Sequence, residues 1–331
     1  MKRVALISGV TGMDGSHMAD LLLSKDYIVH GLVRRHSYSE PWRIRHILNR
    51  IKLHTGDLTD GSSLASILTT VQPDEVYNFA AQSFVKASFD IPAYTAESTG
   101  IGALNLFEAV RSTCRSDTRI YQASSSEMFG NVQSPQDEES PMNPASPYGV
   151  AKLFAHKIAS VYRASYGMFI SCGISFNHES ERRGPEFVTR KITMAVAQIK
   201  AGIQDKLELG NLDAKRDWSY APDIMQGAWL SLQHDTPDDY VFASGESHTV
   251  SELADIAFKT LGLNPADHIV SQVAEHQRPT DVWNLCGNPH KARNVLGWRP
   301  TLTFKELVQR MVAYDLSNAV LIHNRTSSNA N

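Results

Sequence analysis

The sequence predicts an α/β fold in which a doubly wound parallel Rossmann sheet is followed by a smaller C-terminal α/β lobe. Apolar runs of strand length alternate with longer amphipathic stretches through the first half of the chain, as in repeated βαβ units. A glycine-rich turn directly follows the first of these runs, between Ser8 and His17. After Asn177 the alternation weakens, and charged loops that contain glycine separate the helical stretches. The first two observations predict the sheet, and the third predicts the lobe.

Each element of the predicted sheet has its own sequence pattern. Short apolar runs predict strands at residues 4–8, 28–33, 51–53, 76–80, 120–124 and 169–176. Apolar residues three and four positions apart predict helices at residues 17–25, 64–70, 102–110 and 151–166. Because parallel strands need such crossover helices, the strands that they join are expected to be parallel.

The predicted domain boundary is discontinuous. Residues 1–176 are expected to form the first domain, and residues 177–331 mainly the second lobe. A helix at 223–233 and a strand at 240–243 indicate that residues 217–245 return to the first domain. Trp218 is predicted to pack in a core, because burial of its ring explains it without a ligand.

Composition narrows the class of protein. Hydrophobic residues make up 42% of the 331 residues, which suffices for a core and argues against a mainly disordered chain. Lys and Arg total 32 against 35 Asp and Glu, so the net charge of −3 gives no general attraction for nucleic acid or anionic membranes. The three cysteines lack C-x-x-C spacing, so neither disulfides nor a metal site is expected. With no signal-peptide core and no apolar run of about 18 residues, we expect a soluble, cytoplasmic protein.

The turn after the first strand is a candidate phosphate site. Its residues Gly9, Thr11, Gly12, Met13, Asp14 and Gly15 include glycines in G-x-x-G-x-x-G spacing. Glycines let the backbone approach a phosphate, and the following helix N-terminus offers unpaired N–H groups and a partial positive charge. The position of the turn predicts binding of a dinucleotide pyrophosphate, whereas a glycine loop without a ligand is the alternative.

The end of the second strand favours NADP over NAD. Arg34 and Arg35 stand where an NAD enzyme has a carboxylate for the ribose hydroxyl, and cations there suit a 2′-phosphate. The alternative is a solvated pair of surface arginines. Asp57 and Leu58, after the third strand, are candidates for contact with the adenine, although Asp57 also fits a turn or helix cap.

A phenol and an ammonium stand at the start of a predicted helix. Tyr148 and Lys152 are four residues apart, so both side chains project from the same side of the helix. A neighbouring ammonium favours the phenolate, which predicts a lowered pKa for Tyr148 and a base for a substrate alcohol. Lys152 is also a candidate to hold the nicotinamide ribose.

Ser125 and Glu127 follow the strand at 120–124, at the edge of the sheet where open α/β folds bind ligands. Hydride transfer from an alcohol needs one base, so the added carboxylate indicates a second proton transfer. Glu127 could remove a proton beside a new ketone and then protonate a leaving hydroxyl. The alternative is a salt-bridged residue at a strand end.

Together these features resemble the extended short-chain dehydrogenase/reductase family and, within it, the GDP-mannose 4,6-dehydratases. The resemblance includes the segments YQASSSEMFG at 121–130, SPYGVAKL at 146–153, FNHES at 176–180, FVTRK at 187–191 and GNLDAKRDW at 210–218. These segments are distributed over nearly the whole chain, and the last three are more specific than the motifs of the wider family.

The resemblance implies an NADP-dependent lyase that makes GDP-4-keto-6-deoxymannose without net redox change. Tyr148 would take the C4 hydroxyl proton, Ser125 would bind the C4 oxygen, and Glu127 would remove the C5 proton and help expel the C6 hydroxyl. Further cofactor contacts are implied for Ala80, Ala81, Gln82, Ser83, Lys152, His178 and Arg183. Contacts with the GDP-sugar are implied for Ser83, Asn177, Val188, Lys191, Arg216, Arg278 and Asp281. It also implies a homo-tetramer or homodimer, with the Arg34–Arg35 loop reaching a neighbouring subunit's cofactor.

Three departures from the family pattern bear on these expectations. Ser125 replaces threonine but keeps the hydroxyl, Met13 replaces glutamine, and the shorter Asp281 replaces glutamate.

A GDP-manno-heptose 4,6-dehydratase is the main alternative, because residues 83–89 do not show whether the site accommodates the additional carbon of a heptose. A GDP-4-keto-6-deoxymannose reductase would not need Glu127, and an inactive NADP-binding sensor would not need the intact hydroxyl, Glu127, Tyr148 and Lys152.

Overall fold

A computed structural model describes residues 2–35, 41–271, 273, 280 and 282–328, with side chains described up to Ala319. The predicted Arg278 and Asp281 lie outside the described residues. In the part of the chain that is described, no helix combines the length and the apolar character needed to cross a bilayer.

The main sheet has seven parallel strands in the spatial order β11-β6-β5-β4-β1-β2-β3. Its strands are β1 (Val4–Ser8), β2 (Ile28–Val33), β3 (Lys52–Thr55), β4 (Glu75–Asn78), β5 (Arg119–Ser125), β6 (Phe169–Ser175) and β11 (Asp239–Phe242). The strand order reverses between β1 and β4. In a doubly wound sheet, this reversal opens a crevice at the carboxyl ends of the strands.

Seven short strands form three smaller sheets. They are β7 (Asn177–Glu179), β8 (Leu207–Glu208), β9 (Lys215–Arg216), β10 (Trp218–Tyr220), β12 (His248–Thr249), β13 (Ile269–Val270) and β14 (Asn284–Leu285). Strand β7 pairs with β10, β8 pairs with β13, and β9 lies between β12 and β14.

The described helices cover the sheet and build the second lobe. The α-helices are α1 (Met13–Ser24), α2 (Gly61–Val71), α3 (Val85–Asp90), α4 (Pro92–Thr95), α5 (Gly102–Thr113), α6 (Pro147–Tyr166), α7 (Val188–Lys200), α8 (Ala221–Gln233), α9 (Val250–Thr260), α10 (His290–Leu296) and α11 (Phe304–Ser328). Short 3₁₀ helices lie at Trp42–Ile47, Ser126–Met128 and Pro265–Asp267, and a π-helical turn lies at Ala96–Ile101.

Strand β1 shows why the sheet is buried on both faces. Ala5 and Ile7 pack into one cluster with α1 and α8, whereas Leu6 packs into another with α2, α5 and α6. Successive side chains of a strand point to opposite faces, so a continuous apolar run becomes a strand with helices on each side. The predicted α/β fold class is confirmed.

The second lobe has its own core, formed where α7, α9 and α11 pack together. Trp218 is 2% exposed and stacks on Phe304 with ring centroids 5.5 Å apart. Its predicted role in core packing is confirmed, although it also borders the cleft described below.

Several element boundaries near the cleft differ from the prediction, and helix α6 begins at Pro147 rather than at residue 151. Helix α1 begins at Met13 rather than at residue 17, because the glycine turn already adopts helical geometry at its end. Strand β4 ends at Asn78 rather than at residue 80, because the chain turns away at Phe79 and passes close to Gly9. The residues at these two boundaries, Met13 and Phe79, line the cleft described below.

Candidate active site

A cleft of about 1370 Å³ runs along the carboxyl edge of the sheet and continues between that edge and the second lobe. Its walls contain residues that the sequence predicts to bind the cofactor, to act in catalysis and to bind the substrate. They are Gly9, Thr11, Gly12, Met13, Asp14, Gly15, Arg34, Asp57, Leu58, Ala80, Ala81, Ser83, Ser125, Glu127, Tyr148, Lys152, Asn177, His178, Arg183, Val188, Lys191 and Arg216. Arg35 and Gln82 are described but do not line the cleft. The backbone N–H of Gln82 donates instead to Thr99 Oγ1, at 3.2 Å.

The glycine turn fits the diphosphate of a dinucleotide. Gly9 has a φ of +70°, and a Cβ there would lie 3.0 Å from backbone atoms of Ala80. A side chain would therefore be both strained and crowded. Gly12 is the N-cap of α1 and makes no side-chain cap hydrogen bond, so the first N–H groups of the helix face the cleft for an anion to bind.

At the end of β2, Arg34 donates a hydrogen bond to the hydroxyl of Tyr94, and its guanidinium carbon lies 5.7 Å from that ring's centroid. Asp57 lines the cleft while it accepts hydrogen bonds from the backbone N–H and Oγ1 of Thr59, both at 3.0 Å. The N-cap of α2 is Asp60 instead. Asp57 therefore stabilises a turn at the place where an adenine contact is predicted.

A charged network joins the glycine turn to the second lobe. The Nε2 atom of His178 lies 3.1 Å from Oδ1 of Asp14, and Arg183 donates to the backbone carbonyl of His178 at 2.6 Å. Burial alone would raise the pKa of Asp14, but the charge and hydrogen bond of His178, with the charge of Arg183, lower it to about 2. Burial opposes protonation of His178, but Asp14 raises its pKa above the ordinary value. Asp14 and His178 thus form a hydrogen-bonded pair in the cleft wall, which is an ion pair wherever His178 is protonated.

The first turn of α6 brings Tyr148 to the end of β5. Ser146 caps this helix by accepting a hydrogen bond from the N–H of Gly149 at 3.0 Å. A Cβ at Gly149 would lie 2.6 Å from the carbonyl oxygen of Glu127, so glycine allows the two segments to touch. Ser125 Oγ accepts from the N–H of Glu127 at 3.2 Å and also bonds the Tyr148 hydroxyl. Hydroxyl, carboxylate and phenol are thereby gathered at one point of the cleft.

The predicted lowering of the Tyr148 pKa by Lys152 is wrong. Burial raises the pKa of Tyr148 well above its usual range, the hydrogen bond from Ser125 opposes that rise, and the charge of Glu127 adds to it. The Nζ atom of Lys152 donates to the carbonyl of Ala123 at 2.7 Å and lies 5.9 Å from the centroid of the Tyr148 ring. Burial lowers the pKa of Lys152 to about 8, against the charge of Asp14. Four-residue spacing places both groups on one face but does not determine where the ammonium donates.

The other end of the cleft carries cations from the second lobe. Lys191 lies on α7, and Arg216 lies on β9, where its guanidinium donates to the carbonyls of Lys215 at 2.8 Å and Val282 at 2.7 Å. These two contacts hold the Arg216 side chain in place at the cleft wall. Asn177, on β7, and Val188, at the start of α7, complete this wall.

Comparisons with known proteins agree with this geometry. The sequence profile of the family described as "GDP-mannose 4,6 dehydratase" matches residues 6–311. The chain belongs to this family. It is 50% identical over 329 residues to GDP-mannose 4,6 dehydratase 1 of Arabidopsis thaliana, covering 96% of this chain and 91% of the relative. It is 45% identical over 353 residues to the GDP-mannose 4,6-dehydratase of Vibrio cholerae, covering 96% of this chain and 95% of the relative.

A solved structure of a dehydratase that acts on another nucleotide sugar shares the fold. DesIV, a dTDP-glucose 4,6-dehydratase from Streptomyces venezuelae that was solved with NAD, matches with a TM-score of 0.84 at 24% identity. The match covers 96% of this chain and 98% of DesIV. At this identity the likeness supports the fold alone.

Several residues of the cleft were not predicted from the sequence of this family member. They are Phe84, Lys86, Tyr94, Glu186, Phe187 and Trp283. Lys86 and Glu186 sit close to predicted residues but belong to no motif of recognisable spacing. Trp283 follows the predicted Asp281 by two residues, and that proximity was the available signal.

A second polar cluster lies directly behind the cleft. His156, two turns after Tyr148 on α6, has Nδ1 3.0 Å from Ser124 Oγ. The ligand atoms of His156, Cys172 and Asp239 lie within 4.8 Å of one another, a spacing that suits a metal ion. However, Arg163 donates to Asp239 and to Cys172 Sγ, the latter at 3.9 Å. Because the guanidinium already supplies positive charge to these groups, we assign no metal to the cluster.

Proposed function

We propose that the chain is a GDP-mannose 4,6-dehydratase, a lyase that converts GDP-mannose to GDP-4-keto-6-deoxymannose and water. The observation that carries this proposal is the convergence of Ser125, Glu127 and Tyr148 in one cleft. A carboxylate is placed beside the phenol at the end of β5. Oxidation of an alcohol alone would not need it, whereas elimination of water does.

NADP is the proposed cofactor. When bound, it would supply the hydride acceptor for oxidation at C4 of the sugar and the hydride donor for reduction at C6. The turn from Gly9 to Gly15 would hold the diphosphate, and Arg34 would hold the 2′-phosphate. Ala80, Ala81 and Ser83, with Lys152, His178 and Arg183, would line the nicotinamide half. NADP is favoured over NAD because Arg34 lines the cleft at the position where an NAD enzyme has an acidic residue that binds the free 2′-hydroxyl of the ribose.

Tyr148 acts on the C4 hydroxyl. Its phenolic oxygen accepts the proton of that hydroxyl as C4 becomes a ketone, while Ser125 donates a hydrogen bond to the C4 oxygen. Burial raises the pKa of Tyr148, so the phenol must lose its proton before it can act as this base. Lys152, which is buried and donates to the carbonyl of Ala123, is proposed to hold the nicotinamide ribose.

Glu127 acts on the neighbouring carbons. Its carboxylate removes the C5 proton, which the C4 ketone has made acidic, and then protonates the C6 hydroxyl as it leaves. The expelled water therefore contains the C5 proton and the C6 hydroxyl. The proton taken from the C4 hydroxyl is balanced by one delivered to C5, so neither charge nor redox state changes overall.

The second lobe would bind the GDP. Lys191 and Arg216 supply the cations that a diphosphate needs, although the chain as a whole is slightly acidic. Asn177 and Val188 would contact the substrate. Arg278 and Asp281 are proposed to contact the substrate as well. On this basis, residues 1–176 with 217–245 bind the cofactor and the rest of 177–331 binds mainly the nucleotide sugar.

We propose a cytoplasmic homo-oligomer, either a tetramer or a dimer. The outer face of α6 supports self-association, because Val150, Phe154 and Val161 are 55%, 40% and 50% exposed. The free thiols of Cys114, Cys172 and Cys286 support a reducing compartment. Sedimentation of the purified protein would measure the oligomeric state.

The function is tested by giving the purified protein GDP-mannose and, separately, GDP-manno-heptose with NADP⁺. The proposal expects a 4-keto product from GDP-mannose with loss of one water and no accumulation of NADPH. Rapid turnover of the heptose with none of the hexose would select the alternative substrate. Continuous NADPH formation would instead contradict a dehydratase.

A further inference from the structure

Trp283 is an exposed aromatic residue inside the cleft. Its side chain lines the cleft wall, yet the residue is 64% exposed, more than any other large hydrophobic residue in the described part of the chain. The other exposed tryptophan among these residues, Trp42, is 42% exposed, and the guanidinium of Arg43 lies 4.5 Å from its ring. Trp283 therefore leaves an unusually large apolar area open to water within a binding cleft.

The backbone around Trp283 is held on both sides. Its N–H donates to Oδ1 of Asn131 at 3.1 Å, and its carbonyl accepts from the N–H of Lys215 at 3.0 Å. Val282 accepts from the guanidinium of Arg216 at 2.7 Å. These contacts fix the main chain, so the indole is presented at a defined place beside the Arg216 side chain.

We propose that Trp283 provides a stacking surface for the purine base of the nucleotide substrate. This inference rests on the proposed function, since it requires a nucleotide in the lobe end of the cleft. The flat face of an indole can cover a base and remove the apolar surface of both from water. Arg216, adjacent to it, carries the charge that a diphosphate on the same ligand would meet.

The chemistry of stacking limits what Trp283 can do. Every purine has a π-face, so the contact strengthens binding without selecting guanine over adenine. We assign Trp283 to nucleotide affinity and not to the reaction, because the catalytic groups lie at the end of β5. A change at Trp283 should therefore alter KM and leave kcat near its original value.

Intrinsic fluorescence gives a direct test. Titration with GDP should quench the wild-type protein and the matched Trp42→Phe variant, whereas Trp283→Phe should lose most of that quench. Trp283→Ala should weaken GDP binding about tenfold, and Trp283→Phe should weaken it less because a ring remains. Pyrophosphate, which has no base, should bind wild type and Trp283→Ala with equal affinity.

Two outcomes would overturn the inference. One is a GDP-induced quench that survives in Trp283→Phe, and the other is wild-type GDP affinity in Trp283→Ala. Turnover of GDP-mannose by the wild type distinguishes failure here from failure of the proposed function. If GDP-mannose is turned over but the fluorescence effects are missing, only the role of Trp283 is rejected. If GDP binding depends on Trp283 but GDP-mannose is not turned over, only the proposed dehydratase activity is rejected.

Discussion

Glu127 is the residue on which the proposed elimination depends. It is 8% exposed and lies between Ser125, which caps its backbone N–H, and the first turn of α6. Its backbone is thus fixed at the carboxyl edge of the sheet, and its side chain is buried. A group that transfers two protons in succession needs such a fixed position.

The variant Glu127→Gln should lose kcat by about 10²- to 10⁴-fold, because the amide neither accepts the C5 proton nor protonates the leaving hydroxyl. NADP affinity, measured by titration, should remain unchanged. Glu139→Gln, on the exposed loop before α6, is the matched control and should keep full activity. Wild-type turnover in Glu127→Gln would remove the role assigned to this carboxylate.

Single substitutions can distinguish the contributions of the two arginines after β2 to NADP binding. Arg34 lines the cleft and Arg35 does not, so Arg34→Ala should weaken NADP binding about tenfold through the loss of a charge-assisted hydrogen bond. NAD binding should change little in the same variant. A greater loss in Arg35→Ala than in Arg34→Ala would contradict this assignment and point to a contact from a neighbouring subunit.

The ion pair of Asp14 and His178 should make stability depend on pH in two directions. The lowered pKa of Asp14 adds stability that is present above 3.8 and is lost as the pH falls towards 2. The raised pKa of His178 adds stability that is complete below 6.5 and is lost as the pH rises beyond it.

The difference in unfolding free energy between wild type and Asp14→Asn should therefore be largest between pH 3.8 and 6.5. There it should reach about 2 kcal/mol, as expected for a carboxyl pKa shift of this size. Denaturant unfolding across pH measures it, with Asp255→Asn on the exposed face of α9 as control. A difference that does not vary with pH would show that the pair is not charged in the folded protein.

At the scale of secondary structure, helix α6 connects stability to chemistry. It carries Tyr148 in its first turn, Lys152 in its second and His156 in its third, and all three face the end of β5. The N-cap Ser146 fixes where this series begins. An error at the cap would therefore displace the phenol from Ser125.

Two cap substitutions test this connection. Ser146→Ala and Thr303→Ala each remove a hydroxyl that accepts a hydrogen bond near a helix start, from Gly149 at 3.0 Å and from Glu306 at 3.3 Å. Each should cost about 1 kcal/mol of stability in denaturant unfolding. Only Ser146→Ala should also lower kcat, since α11 carries no catalytic group. An equal kcat in the two variants would show that the cap does not position Tyr148.

The same helix shows what sequence patterns could and could not predict. Four-residue spacing correctly places Tyr148 and Lys152 on one face, because helix geometry alone determines it. The direction in which Lys152 donates depends on the carbonyl of Ala123, a contact from another element that no local pattern encodes. The pKa of Tyr148 was mispredicted for the same reason, since burial in the assembled cleft decides it.

At the scale of the whole molecule, the fold could be predicted because periodicity reports burial. Continuous apolar runs such as Val4–Ser8 become strands covered on both faces, as the packing of Ala5 and Leu6 into opposite clusters shows. The short strands of the second lobe, such as β9 and β14, have only two residues each and carry no such signal. Trp283 was not predicted as a cleft residue, because its position depends on the pairing of β14 with β9.

The arrangement of the sheet and the second lobe around one cleft explains how the proposed reaction can occur without net oxidation or reduction. The sheet edge holds the glycine turn and the proposed catalytic groups, and the second lobe forms the other side of the same cleft. In the proposed reaction, both hydride transfers therefore take place in one cleft. A hydride that leaves C4 can return to C6 without exchange with another substrate molecule.

The fate of that hydride is the most direct measurement of the central claim. GDP-mannose carrying deuterium at C4 is converted by the purified protein with NADP⁺, and the position of the label in the product is determined by NMR and mass spectrometry. The account predicts deuterium at C6 of the 4-keto product. A product without deuterium at C6, or deuterium accumulating in free NADPH, would contradict it.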